Sequence, residues 1–126
     1  MAWRVAKSLI VLRDQINASY PNRSISSDGT IGDEAHSSRS SDHNPNDSGV
    51  VCAMDITNDP AHGVSSRLVA ERLVASQDPR IKYIISDGEI CSGNGQSTPA
   101  WKWRKYTGQN PHNHHFHISV RSPAKF

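Results

Sequence analysis

Long apolar runs are scarce in this chain of 126 residues, and the N-terminal one, Leu9-Ile10-Val11-Leu12, stops at Arg13-Asp14. Four residues fall short of a secretion-signal core and far short of the ~20 that a membrane-spanning helix needs. The sequence therefore predicts a chain synthesised as a soluble cytoplasmic protein, with no membrane insertion. Cysteine is equally sparse. Cys52 and Cys91 are the pair present, without the short spacing of a zinc knuckle, and a reducing compartment predicts free thiols. Charge of one sign is missing too: 14 Lys and Arg stand against 12 Asp and Glu, net +2, scattered along the chain. No basic stripe calls for nucleic acid as a partner. Internal repeats are absent, and the length leaves no room for a second module, so one domain spanning 1–126, folding alone as a monomer, is expected. With 35% hydrophobic and 21% charged residues the composition is that of a globular domain.

What is present falls into blocks. Leu9, Leu12 and Ile16 recur at three- and four-residue intervals, predicting an amphipathic helix from Ser8 to about Tyr20 that Pro21 ends. Residues 22–49 are rich in Ser, Asp, Asn and Gly, and a polar loop of that length inside a small domain usually carries function. Val50 to Thr57 reads as a strand. Val64 to Gln77 reads as a second helix with Leu68, Leu73 and Val74 among its apolar positions and Ser65 as cap. Ile81–Ser86 and Glu89–Cys91 flank Asp87-Gly88, a strong hairpin signal. A Gly-containing loop with Trp101, Trp103 and Tyr106 follows, for which core packing is the default reading and a groove wall the functional one. A last strand runs from about Asn113 to Val120. This order predicts a small α+β domain with a mostly antiparallel sheet.

Four of the seven histidines crowd into His112-Asn113-His114-His115-Phe116-His117. The cluster is interrupted and leads into Ile118-Ser119-Val120, so it belongs to the fold rather than to a purification tag. Strand alternation sends His115 and His117 to one face and His114, Phe116, Ile118 and Val120 to the other. Two imidazoles on one face supply a metal ligand and a catalytic partner, or two ligands; a solvated polar face is the bland alternative. Asp55 sits mid-strand among apolar residues, and an ionised carboxylate there needs a cation or a paired base. Arg39, Arg67 and Arg104 are candidate ion-pair partners. The other reading is a metal: Asp55, a His from the polar loop and a His from the last strand make three ligands with a fourth position left for water, the pattern of catalytic zinc.

The motifs Ser41-x-His43, Ala53-x-Asp55 and His115-x-His117 resemble the signature of the zinc peptidases that include D-alanyl-D-alanine carboxypeptidases, phage L-alanyl-D-glutamate endopeptidases, murein endopeptidases and the hedgehog signalling domain. The stretches GDEAHSSRSSDHNP, AMDITNDPAHG, DPRIKYIISDGEI and NPHNHHFHISV look like small phage and prophage members of that group, and the likeness runs from about Leu12 to Val120. It implies a hedgehog/D-Ala-D-Ala peptidase-like fold. It further implies a Zn2+ cofactor held by His43, Asp55 and His117, with His115 as the catalytic histidine and His112 as a further active-site histidine. The implied activity is hydrolysis of amide bonds in bacterial peptidoglycan peptides, as in a phage endolysin that reaches the wall after release from the cytoplasm. Non-hydrolytic zinc binding, as in hedgehog domains, and a phage structural component are the rival readings.

Two departures from the family pattern stand out. Eleven residues separate His43 from Asp55 where six are common, the excess lying around Asn44-Pro45-Asn46-Asp47-Ser48. The Glu that many relatives carry three residues before the last ligand is here His114, which strand parity points away from the metal, so His115 is assigned the role of base, with His114 as the rival. Arg39 and Ser41 are candidate substrate-binding residues, with a surface Arg and a turn-capping Ser as the plain alternatives. Asp42, His36, Asp59 and His62 are candidates to support the ligands, although an Asp59-Pro60 turn accounts for two of them without chemistry.

Overall fold

The computed structural model describes residues 4–26, 28–29, 49–96, 99–107 and 115–121. The chain opens with a short strand β1 (Arg4–Val5) and helix α1 (Lys7–Ser19). It resumes with β2 (Val50–Val51), β3 (Ala53–Thr57), a single 3-10 turn (Pro60–His62) and helix α2 (Ser66–Ser76). Strands β4 (Ile81–Ser86), β5 (Glu89–Ser92), β6 (Trp103–Lys105) and β7 (His115–Val120) complete it. The main sheet has the order β3-β7-β4-β5-β6, every pair antiparallel, and β1 and β2 form a separate parallel ribbon. The fold is α+β with a mostly antiparallel sheet, as expected. Among the described residues no helix is long and apolar enough to cross a membrane.

The core lies on one face of the sheet. Met54 and Ile56 of β3, Ile84 of β4 and Phe116, Ile118 and Val120 of β7 meet Leu9 and Ile16 of α1 and Ala70 of α2, all buried. Burying each large apolar side chain stabilises the fold by roughly 1.5–3 kcal/mol. The α1 stripe predicted from Leu9, Leu12 and Ile16 is the packed face, with Leu12 partly buried. In α2, Ser65 is the cap, its hydroxyl accepting from Leu68 N at 3.4 Å. The helix starts at Ser66 rather than Val64, because Val64 exchanges backbone hydrogen bonds with Asp59. Leu68 is a correction: it is 57% exposed, one position off the buried stripe that Ala70, Leu73 and Val74 define.

The strand expected over Val50 to Thr57 is divided. Val50 and Val51 pair with Arg4 and Val5, whereas Ala53–Thr57 pair with β7. Cys52 lies at the switch, its carbonyl accepting from Val120 N at 2.8 Å. The Asp87-Gly88 hairpin forms as predicted, with φ of 50° and 77°, the two positive values of a type I′ turn. Trp103–Lys105, expected as loop, is the edge strand β6, aligned against Glu89–Cys91. Trp101 and Trp103 pack against the core, and the Arg67 guanidinium lies 4.0 Å from the Trp103 ring centroid. Both cysteines are buried thiols outside any disulfide.

Candidate active site

The sheet face opposite the core carries the polar residues. Asp55 is central in β3, and both its backbone groups are turned away from β7: its N–H donates to Gly29 O at 2.8 Å and its carbonyl accepts from Gly29 N at 3.2 Å. Its register partner on the other side is His117. Asp55 and His117 are therefore a non-hydrogen-bonded antiparallel pair, the kind whose Cα atoms approach to ~4.5 Å and whose side chains are closest. The result is contact between the carboxylate and two imidazoles. Asp55 Oδ1 lies 3.1 Å from His117 Nδ1, and Asp55 Oδ2 lies 3.6 Å from His115 Nε2. His115 and His117 share this face while Phe116, Ile118 and Val120 face the core, as alternation predicted.

Around this trio the packing is tight. His117 is buried, its Nε2 is 2.8 Å from Ser119 Oγ, and its ring stacks on Tyr83 with centroids 5.4 Å apart and planes within 13°. Two proton arrangements satisfy these contacts. With Nδ1–H donating to Asp55, Nε2 accepts from the Ser119 hydroxyl, and no ion is required. With Nε2–H donating to Ser119, the Nδ1 lone pair faces a carboxylate oxygen, and either a proton or a metal ion between them relieves the repulsion.

Thr57 closes the other end, opposite His115. Its N–H and hydroxyl both donate to Asp28 Oδ1, at 2.8 and 2.6 Å. Asp28 also accepts two hydrogen bonds from Arg23, from Nη1 at 3.0 Å and Nη2 at 2.7 Å. Burial pushes the Asp28 carboxyl up, but the hydrogen bonds from Arg23 and Thr57 and the Arg23 charge outweigh it and hold the pKa below its ordinary 3.8. Asp59 is likewise held below the ordinary value, chiefly because its carboxylate accepts from Ser24 N at 2.6 Å, with His62 Nδ1 at 2.8 Å adding to the effect.

The predicted residues thus divide. Asp55, His115 and His117 are brought together. Asp59 pairs with His62 and accepts from Ser24 N instead of supporting the trio. Of the arginines weighed as partners for Asp55, Arg67 pairs with Glu71 and Glu89, and Arg104 donates to Ser92 Oγ. His36, Arg39, Ser41, Asp42, His43, His112 and His114 lie outside the described residues. Among the described residues no group of three or more His, Cys, Asp and Glu is arranged to hold a metal ion. Sequence reasoning missed Ser119, Tyr83 and Asp28. Ser119 was within reach, since parity two residues past His117 places it on the same face. Tyr83 and Asp28 carried no local signal.

Compared with known proteins, the chain matches no family model, no curated protein and no solved structure.

Proposed function

We propose that this chain is a zinc-dependent peptidase of bacterial peptidoglycan peptides, of the phage endolysin type and with a hedgehog/D-Ala-D-Ala peptidase-like fold. The observation that carries the reading is the Asp55 carboxylate set between His117 Nδ1 at 3.1 Å and His115 Nε2 at 3.6 Å on a buried polar sheet face. Ligands bound at roughly 2.0–2.1 Å around a tetrahedral zinc ion are about 3.3–3.4 Å from one another. The Asp55–His117 separation of 3.1 Å lies close to that value, which supports these two as ligands of one zinc ion, with His115 beside them as the base. Asp55 and His117 are the ligands supplied by β3 and β7. His43 is the third in this reading; its segment, 30–48, begins one residue after Gly29, which is hydrogen-bonded to Asp55.

Zinc, when bound, supplies a Lewis acid and a water whose pKa is lowered toward about 7. The protein's own groups do the rest. With zinc on Nδ1, His117 would donate its Nε2–H to Ser119 Oγ, 2.8 Å away, which would keep the ring oriented toward the metal. His115 takes the proton of the attacking water and returns it to the departing amine. The Thr57–Asp28–Arg23 chain holds the end of β3 that faces His115. Digestion of purified peptidoglycan with and without a chelator, the new amino ends identified by mass spectrometry, tests the reading. Chelator-sensitive cleavage at one amide is expected. Unchanged peptides with zinc-loaded protein would refute hydrolysis and leave a zinc-binding module, whereas co-purification with phage particles would mark a structural role.

A further inference from the structure

The register of the sheet aligns five side chains in one row across all of its strands. Asp55 pairs with His117, His117 with Ile85, Ile85 with Ile90, and Ile90 with Arg104. Directly opposed residues in antiparallel strands share a face, so this row runs from the carboxylate–imidazole cluster at one edge of the sheet to a guanidinium at the other. Helices α1 and α2 pack on the opposite face. Arg104 Nη1 donates to Ser92 Oγ at 3.1 Å, and Ser92 belongs to the adjacent row with Tyr83 and Ser119. Among the described residues no carboxylate lies within ion-pair distance of Arg104, unlike Arg23, Arg67 and Arg80. Between the two polar ends the floor is apolar, with Ile85 buried and Ile90 half-buried.

We infer that Arg104 is a specificity-determining residue that binds a free carboxylate of a peptide laid across the sheet, with Ile90 beneath its backbone. This rests on the peptidase reading of the Asp55 cluster. Three strand spacings of ~4.8 Å separate the backbones of His117 and Arg104, about 14 Å, and an extended peptide covers that in about four residues at ~3.3–3.6 Å each. The carboxylate thus lies three or four residues from the amide at the cluster. With Nη1 donating to Ser92 and no carboxylate beside it among the described residues, the planar guanidinium offers a forked contact that an ammonium does not reproduce.

The test uses the full chain and two probes, a synthetic stem peptide with its carboxylates free and the same peptide with them amidated. Cleavage kinetics, calorimetric binding, zinc content and thermal midpoint are recorded for wild type, R104Q, R104K and K105Q. Lys105 is the exposed β6 neighbour of opposite parity, so K105Q controls for charge alone. R104Q should raise KM for the acid peptide by about tenfold to a hundredfold with kcat little changed, and leave the amide and the zinc content unaffected. R104K should fall between, and keeps the residue testable should R104Q unfold. Equal losses on both peptides, or no loss, would overturn the inference and reduce Arg104 to a support for Ser92. Cleavage without acid–amide discrimination defeats the inference but not the peptidase reading. Arg104-dependent binding of the acid peptide without cleavage does the reverse.

Discussion

Replacing Asp28 by Ala probes the link that fastens the start of the long polar loop to the edge of β3. The Arg23 side chain is 2% exposed and that of Asp28 18%. The substitution removes both Arg23 contacts to the carboxylate and both Thr57 contacts, while Arg23 retains Asn17 Oδ1 at 2.8 Å and Ser24 O at 3.2 Å. Breaking a buried pair by removing one partner costs about 3–5 kcal/mol, and the partial exposure of Asp28 lets water offset some of it. A loss of about 3 kcal/mol is expected. At roughly 2.1 cal/mol/K per residue the unfolding entropy is about 0.26 kcal/mol/K, so the thermal midpoint should fall by about 11 °C. Urea unfolding followed by circular dichroism gives the free energy directly. The double variant Asp28→Ala with Arg23→Met should recover part of the loss, because it no longer strands a buried guanidinium. A single-variant loss under about 1 kcal/mol, or a double variant as unstable as the sum of the singles, would refute the clamp. The pH dependence has a fixed sign. The folded-state pKa of Asp28 is depressed, so its contribution is fully present above the ordinary 3.8 and is lost as pH falls through the folded value. The stability gap between wild type and Asp28→Asn should therefore narrow below about pH 4.

At the site, Asp55→Ala, His117→Ala and His43→Ala should each lose stoichiometric zinc, while His115→Ala keeps the metal and loses turnover. If His114→Ala gave that second result, the assignment of the base would be wrong. Gly63 has φ of 95°, and a Cβ there would lie 2.7 Å from Tyr20 Cδ1. Gly63→Ala should cost about 2 kcal/mol from backbone strain and ring displacement, and a midpoint unchanged within a degree or two would contradict this. Cys52 and Cys91 are buried, and burial raises the Cys91 thiol further. Both should resist an aromatic disulfide reagent in the native state and react in denaturant, and prompt native labelling of either would count against the packing.

Local chemistry was enough for much of this protein. The three- and four-residue spacing of Leu9, Leu12 and Ile16 marked the packed face of α1, Ser65 marked the start of α2, and Asp87-Gly88 marked the hairpin. Alternation along β7 separated His115 and His117 from the core side chains, because a strand offers only two faces. Asp55, as a charge in an apolar run, announced that it needed a partner. Which partner it has depended on pairing between residues far apart in the chain. Register set His117 opposite Asp55, and the Gly29 bridge made that pair the close one. The break at Cys52, the edge strand at Trp103, the hold of Asp28 on Thr57 and the row ending at Arg104 all arise from contacts between distant segments. Their residues carry no local signature, since strand pairing is decided by which edge and which face remain to be satisfied once the core has formed.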